Sequence, residues 1–278
     1  MRPDYAAAMP VPTPSPRPGD PPGHARLVVL GDSFTFHGPD GPVPLHEPRL
    51  YPNVLRALLA AATGRDWEVA VIARAGWSVR DVWLALQKDV HLQQRVLLGA
   101  DAVVVGVGSF DWVPVGVPTP LRALLPYVRP TGLRRRLRIL LDRHHHTLVR
   151  ATGGRIVRTP DSVYAHNWRK SIEGIRVFAP AAAVSALLPG IHRAPYYGFL
   201  HPHHARGMAL TRRLGVEASV PLVDLPAIGA RHLDDLNVDG IHWSWAQHAE
   251  VAAALAEALL AQTPPDSSSS GSASNSAS

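Results

Sequence analysis

The sequence predicts an α/β fold, a three-layer α/β/α sandwich around a parallel five-stranded sheet. Hydrophobic residues make up 46% of the 278 positions, which is enough to fill a sizeable core. Short runs of β-branched residues alternate with stretches of helical spacing. Because those runs are apolar throughout, we expect strands buried on both faces, as in a parallel sheet covered by helices.

The elements follow one another in a regular order. Five apolar runs predict the strands, at residues 27–30, 68–73, 102–107, 182–188 and 220–225. Apolar spacing predicts three covering helices, at residues 51–62, 79–98 and 245–261. In the second helix Val82, Leu86 and Val90 would share one buried face, and Ser244 is placed to cap the last helix.

Both ends of the chain are low in complexity. Residues 1–24 are rich in proline and residues 263–278 in serine, so a disordered leader and a disordered tail are expected. One domain would span 25–262, with an insertion at about 113–166 placed to cover the site as a lid. The leader lacks the apolar core of an export signal, and no run is long enough for a membrane helix, so a cytoplasmic location is expected.

Charge and cysteine content narrow the chemistry. Lys and Arg outnumber Asp and Glu by 28 to 22, and the net charge of +6 favours anionic partners such as nucleic acid, phosphorylated cofactors, acidic sugars or a membrane surface. Nucleic-acid binding is the weakest of these options and is not expected, because the net charge is the only feature of the sequence that supports it. The absence of cysteine excludes disulfides, thiolate metal sites and a cysteine nucleophile.

Two motifs lie in predicted loops, the part of an α/β fold in which active sites form. Ser33 directly follows the first strand, within Gly31-Asp32-Ser33, and alone it could equally be a capped turn. Before the last helix, Asp239 precedes His242 by three residues, so the carboxylate can accept from Nδ1 and leave Nε2 free as a base. Together they supply a nucleophile, a base and a group that orients the base.

Two further strand-end loops carry glycines. Gly76-Trp77 follows the second strand, and Gly108-Ser109-Phe110-Asp111-Trp112 follows the third. A glycine lets backbone amides approach a ligand closely, although it can also simply make a turn.

These motifs resemble those of the SGNH, or GDSL, hydrolase superfamily, over about residues 27–261. The resemblance implies a flavodoxin-like sandwich and an acyl-serine intermediate on Ser33. His242 would be the general base and Asp239 its orienting partner. The oxyanion hole would use the amides of Ser33 and Gly76.

One position departs from the superfamily pattern. Phe110 stands where the third block has an asparagine that donates to the oxyanion. Loss of one such donor costs about 2.7 to 4 kcal/mol of transition-state stabilisation. Either another donor substitutes, with Ser109 and backbone amides nearby, or the enzyme works with fewer donors and lacks broad hydrolytic power.

A narrower resemblance is to the actinobacterial diglucosylglycerate octanoyltransferases of methylglucose lipopolysaccharide synthesis. It is carried by residues 30–39, 41–45, 49–55 and 239–245. It implies transfer of an octanoyl group from a thioester to a glucose hydroxyl of a glucosylglycerate acceptor. Octanoyl-CoA would be the co-substrate, and neither a cofactor nor a metal ion is expected.

Several residues beside the motifs are candidates for substrate contact: Asp32, Trp77, Phe110, Asp111, Trp112 and Trp243. The tryptophans could wall an acyl groove and exclude water, or could equally pack the sheet ends. A basic stretch at 133–150 could bind the phosphates of CoA or a carboxylate. We favour instead a solvated basic face held down by leucines, without a metal site at its three histidines.

The leading hypothesis is therefore a serine acyltransferase that acts on a sugar-derived acceptor. A carboxylesterase or thioesterase of the same fold is the first alternative, distinguished by whether water competes with the sugar. The second is a non-catalytic binder of an anionic ligand, which the Phe110 departure keeps open and the intact serine, histidine and aspartate disfavour.

Overall fold

The computed structural model describes residues 23–262. Five parallel strands form its main sheet, in the spatial order β4-β1-β5-β6-β7. Gly31 of β1 pairs with Ala73 on one side and Gly106 on the other, so the carboxyl ends of three strands meet at one edge. The strands are β1 His24–Gly31, β4 Asp66–Ala73, β5 Ala102–Gly106, β6 Ala183–Leu187 and β7 Leu222–Val223, with a separate antiparallel pair, β2 His37–Gly38 and β3 Gly41–Pro42.

Helices cover both faces of the sheet. They are α1 Tyr51–Thr63, α2 Val79–Lys88, α3 Thr119–Arg122, α4 Thr131–Arg143, α5 His145–Ala151, α6 Asp161–Phe178, α7 His204–Glu217, α8 Leu225–Arg231 and α9 Trp245–Leu260. Val28 and Leu30 of β1 join one core beneath α2, α6 and α7. Leu27 and Val29 of the same strand join the second core, beneath α1 and α9. The predicted three-layer sandwich is thus confirmed, with the alternation of strand side chains dividing the two cores.

The order of the strands indicates where along the sheet a ligand site is expected. Numbered within the sheet alone, the strands run 2-1-3-4-5, which is the flavodoxin-like order. The chain leaves β1 toward one side of the sheet and returns to the other side at β5. Ligands bind at such a switch point, outside the carboxyl ends of the strands. The loops that follow β1 and β5 therefore border the expected crevice.

Some predicted elements have different boundaries. The helix predicted over 79–98 breaks after Lys88 and continues as a π-helix, Leu92–Leu97. Asp89 causes the break, since its carboxylate accepts from the Leu92 amide and starts a new turn. Val90 lies at the break and is 66% exposed, so its predicted place on the buried face is wrong. The fifth predicted strand, 220–225, is only two residues long and corresponds to β7.

The inserted segment follows β5 and is closed at its base by backbone hydrogen bonds. The Val115 amide donates to the Ile156 carbonyl, and the Arg158 amide donates to the Val113 carbonyl. Helix α4 within it buries no residue, so the prediction that leucines hold this helix down is wrong. The predicted helical stretch 133–150 also divides at His144, between α4 and α5.

The predicted leader and tail fall almost wholly outside the described residues, with one exception at the boundary. β1 begins at His24, so the folded part starts slightly before the predicted end of the leader. Within residues 23–262 no helix is both long enough and apolar enough to cross a membrane.

Candidate active site

Ser33 is held at the carboxyl edge of the sheet by a tight turn. It begins a short 3₁₀ helix immediately after β1, and Asp32 caps that helix by accepting the Phe34 amide at 3.1 Å. A Cβ on Gly31 would lie 1.9 Å from Thr35 Oγ1, so the turn requires glycine there. The sequence thus brings the serine hydroxyl directly to the switch point.

A continuous hydrogen-bonded chain joins the three residues of the two motifs. His242 Nε2 lies 2.8 Å from Ser33 Oγ, and His242 Nδ1 lies 2.5 Å from Asp239 Oδ2. Partial burial works to raise the pKa of Asp239, but hydrogen bonds from the His242 ring and from the amides of Ile241 and His242 bring it below its ordinary value. Asp239 is therefore held as a carboxylate that can accept from Nδ1, which leaves Nε2 to accept from the serine.

Backbone contacts fix the loop that carries Asp239 and His242. Gly240 has a φ of +69°, and the Arg193 amide donates to its carbonyl at 2.8 Å. A Cβ at Gly240 would lie 2.4 Å from the Arg193 carbonyl oxygen, so a larger residue would push the two loops apart. The loop after β6 thus positions the histidine.

Aromatic side chains enclose the His242 ring. His37 stacks on it with ring centroids 3.9 Å apart, and Phe34 meets it edge-on at 5.5 Å. Burial, together with the neighbouring His242, lowers the pKa of His37 to about 4. His37 is therefore neutral near pH 7, and it holds the His242 ring without adding a competing charge.

Backbone amides point to an oxyanion site beside Ser33. Within the described residues, neither the Ser33 amide nor the Gly76 amide donates to a protein acceptor. Gly76 has a φ of +70° and lies against the Phe110 ring, which a Cβ at this glycine would approach to 2.9 Å. Ser109 Oγ accepts from the Gly190 amide at 2.9 Å, which leaves its own hydrogen free to donate.

An apolar cavity of about 350 Å³ opens at Ser33 and His242. Most of its surface is carbon, which suits an acyl chain better than a sugar. Its wall is formed by Asp32, Phe34, Ala75, Gly76, Ser109, Phe110, Val113, Gly190, Ile191, His192, Tyr197 and Ile241.

Comparison with known proteins gives the same assignment. Residues 29–250 match the model of the GDSL-like lipase/acylhydrolase family. The chain belongs to this family. Solved structures of similar fold include a lipase/acylhydrolase from Enterococcus faecalis, with a TM-score of 0.56 and 18% identity over 84% of this chain and 94% of that one. An acetylxylan esterase from Geobacillus stearothermophilus gives 0.53 and 17% over the same shares.

More similar sequences define a branch within the GDSL-like family. A diglucosylglycerate octanoyltransferase of Mycobacterium tuberculosis is 34% identical over 88% of this chain and 96% of its own length. That of Mycolicibacterium hassiacum is 35% identical over 84% and 94%. The predicted superfamily, its actinobacterial branch and an acyltransferase type of enzyme are thereby confirmed.

The predicted tryptophan wall is not part of this GDSL-like site. Trp112 is fully buried in the first core, and Trp243 is buried in the second, stacked on Phe34 at 4.6 Å. Trp77 packs against the first core and does not line the cavity. The assignment of Trp112 and Trp243 to substrate contact is wrong, because their buried rings pack the two cores. The contact predicted for Trp77, which is half-buried, stays a prediction.

The two predicted acidic contacts have different positions. Asp32 lines the cavity, and burial, only partly opposed by the Phe34 amide, raises its pKa to about 7. Asp111 is fully buried and accepts the Val79 amide, and burial raises its pKa to about 6. Asp111 therefore anchors the start of α2, and its predicted contact with substrate is wrong.

Sequence reasoning missed the far wall of the cavity. Ile191, His192 and Tyr197 follow β6, and Val113 opens the insertion. The rule that sites form beyond the carboxyl ends of parallel strands would have directed attention to the segment after β6. His192 Nδ1 accepts from the Ala194 amide at 3.3 Å, so the neutral ring carries its proton on Nε2. Within residues 23–262, no three or more His, Cys, Asp or Glu residues are grouped to hold a metal ion.

Proposed function

We propose that this GDSL-like acyltransferase moves an octanoyl group from octanoyl-CoA to a glucose hydroxyl of diglucosylglycerate, through an acyl-serine intermediate on Ser33. The observation that carries the proposal is the chain from Ser33 through His242 to Asp239, which opens on an apolar cavity of about 350 Å³. The names of the two relatives supply the acyl group and the acceptor. A cytoplasmic step in methylglucose lipopolysaccharide synthesis would fit this substrate pair.

In the first half-reaction, Ser33 Oγ attacks the thioester carbonyl while its proton passes to His242 Nε2. Asp239 stabilises the imidazolium that forms, at 2.5 Å from Nδ1. When the tetrahedral intermediate collapses, the carbon–sulfur bond breaks and the thiolate takes the proton from Nε2. The products are free CoA and octanoyl-Ser33.

In the second half-reaction, a glucose hydroxyl gives its proton to His242 Nε2 and attacks the octanoyl carbonyl. Collapse breaks the bond to Ser33 Oγ, which regains the proton from His242. The octanoyl ester is then on the sugar, and the enzyme has returned to its starting state.

The oxyanion site is adapted to the missing asparagine. Phe110 presents a ring where a donor would be, so the developing charge is left to the Ser33 and Gly76 amides and the Ser109 hydroxyl. A thioester carbonyl is more reactive than an oxygen ester, so acylation can proceed with fewer donors. The apolar wall around Phe110 also disfavours bound water, which supports transfer over hydrolysis.

The hydrolase alternative is tested by where the octanoyl group goes. With octanoyl-CoA held constant, increasing diglucosylglycerate should convert the product from free octanoate to the sugar ester, measured by liquid chromatography with mass detection. Octanoate release that does not fall as acceptor rises would identify a thioesterase instead. Maltose offers a matched sugar control without the glycerate group, and it should divert little octanoate.

A further inference from the structure

Arg158 belongs to the insertion and packs against two residues of the cavity wall, Phe110 and Val113, without lining the cavity itself. Its amide donates to the Val113 carbonyl at 3.2 Å, and its carbonyl accepts from Thr119 Oγ1 at 2.8 Å. Its guanidinium lies over the Phe110 ring, 3.9 Å from the centroid. Val113 and Phe110 both line the cavity, so the backbone and the side chain of Arg158 are each fixed against that wall.

The charge of Arg158 has no ion-pair partner among residues 23–262. Most other arginines of the inserted segment also lack one, but they are largely exposed to solvent, whereas Arg158 is half-buried. Burial lowers the pKa of Arg158, while the nearby Asp111 acts in the opposite direction. Asp111 accepts the Val79 amide through Oδ2, and its buried Oδ1 has no hydrogen-bond partner in the described part of the chain, so no hydrogen bond joins Asp111 to the guanidinium.

We propose that Arg158 binds the glycerate carboxylate of the sugar acceptor at the rim of the catalytic cavity. A guanidinium offers a planar fork of donors that matches a carboxylate, and the stack on Phe110 presets its orientation. The cavity beyond is apolar, so the charged end of a substrate has to stay at this rim. The carboxylate is the acceptor's one charged group, and its capture would present the glucose hydroxyls to octanoyl-Ser33.

This site gives the Phe110 substitution a second consequence. Phe110 contacts Gly76 with its ring edge and carries Arg158 on its face. An asparagine there would donate to the oxyanion but would offer no aromatic face to the guanidinium. The chain thus replaces an oxyanion donor with a platform for acceptor recognition.

The inference rests on the proposed function, and its test uses two acceptors. They are diglucosylglycerate and an analogue in which CH₂OH replaces the carboxylate. Wild type should prefer the first by about ten- to hundredfold in kcat/KM, the range for a charged hydrogen bond. Arg158→Gln should remove most of that preference, and Arg158→Lys should retain part of it. Arg155→Gln, at an exposed arginine of the same segment, is the matched control.

The opposing outcomes are distinct. Equal use of the two acceptors by wild type, or a preference that survives Arg158→Gln, overturns the carboxylate site. A variant that slows Ser33 acylation by octanoyl-CoA, but not by octanoyl-N-acetylcysteamine, shows that Arg158 holds the donor's phosphates, which also overturns it.

A protein that is not an octanoyltransferase would give a different result. Wild type would then form no octanoyl-Ser33, and the Arg158 site is tested by calorimetry on Ser33→Ala protein. There the Arg158→Gln change should weaken diglucosylglycerate binding and leave the analogue's affinity little changed. Equal affinities for both ligands contradict the site, and circular dichroism melting confirms that each variant is folded.

Discussion

Asp239→Asn separates the electrostatic role of Asp239 from its structural one. Oδ1 of Asp239 accepts the amides of Ile241 at 2.8 Å and of His242 at 3.1 Å, while Oδ2 accepts from His242 Nδ1. An asparagine can keep the two amide contacts with its carbonyl oxygen. Its NH₂ group then faces Nδ1 and drives the imidazole proton onto Nε2, where it points at Ser33. The base is lost while the loop is preserved.

The expected magnitude follows from that tautomer change. The same substitution in serine-protease triads lowers kcat by about 10⁴, which corresponds to about 5 kcal/mol of transition-state stabilisation. The assay is the release of CoA thiol from octanoyl-CoA in the first turnover, followed with a thiol reagent in a stopped-flow instrument. The melting temperature should change little, because the two amide contacts remain.

Asp234→Asn is the matched control for this variant. Asp234 is an exposed carboxylate five positions earlier, and it pairs with Arg193 at the surface. Surface ion pairs contribute little, so this variant should retain the wild-type rate. An Asp239→Asn protein that acylates within tenfold of wild type would refute the assignment of Asp239 as the group that orients His242.

Three further predictions concern the surroundings of the site. Gly76→Ala places a Cβ 2.9 Å from the Phe110 ring at a φ of +70°, so Ser33 acylation should fall at least about tenfold. Adding Phe110→Ala to this variant should restore part of the acylation rate, and no restoration would refute the clash. Gly207→Ala would bring a Cβ to 2.4 Å from buried Trp112, which should lower the free energy of unfolding by about 1 to 3 kcal/mol and the melting temperature by several degrees. Gly132→Ala, whose Cβ would meet nothing within 4 Å, should not destabilise the protein, and equal melting temperatures for the two variants would contradict this prediction. Because the pKa of Asp32 is raised to about 7 in the folded state, folding takes up a proton between about pH 4 and 7. The stability of the wild type should therefore fall as the pH rises through that range, relative to that of Asp32→Asn, and parallel pH profiles of stability would argue against it.

The strands and the two motifs of the candidate site could be predicted from the sequence because both depend on local pattern. β1 is an apolar run that ends at a glycine, and Ser33 follows it directly, so its place at the switch point needs no knowledge of packing. Asp239 and His242 are three residues apart and already share one loop. The long-range contact that joins them to Ser33 follows once the sheet is assumed to be parallel.

Other features depend on contacts that no local pattern encodes. Trp112 and Trp243 adjoin the motif loops in sequence, yet their rings turn into the two cores, where they bury more area than at a cavity wall. Val90 continues the apolar spacing of α2, but the Asp89 carboxylate ends the helix before it. Arg158 reaches Phe110 only because the insertion closes back on Val113.

The proposed mechanism requires that Ser33 carry the octanoyl group between donor and acceptor. The direct measurement is the intact mass of the protein after mixing with octanoyl-CoA, with peptide mapping of any adduct. A single octanoyl group on Ser33, absent from Ser33→Ala and cleared by diglucosylglycerate faster than by water, is the predicted result. An adduct that persists in Ser33→Ala, or a sugar ester formed without any adduct, would contradict the acyl-serine account.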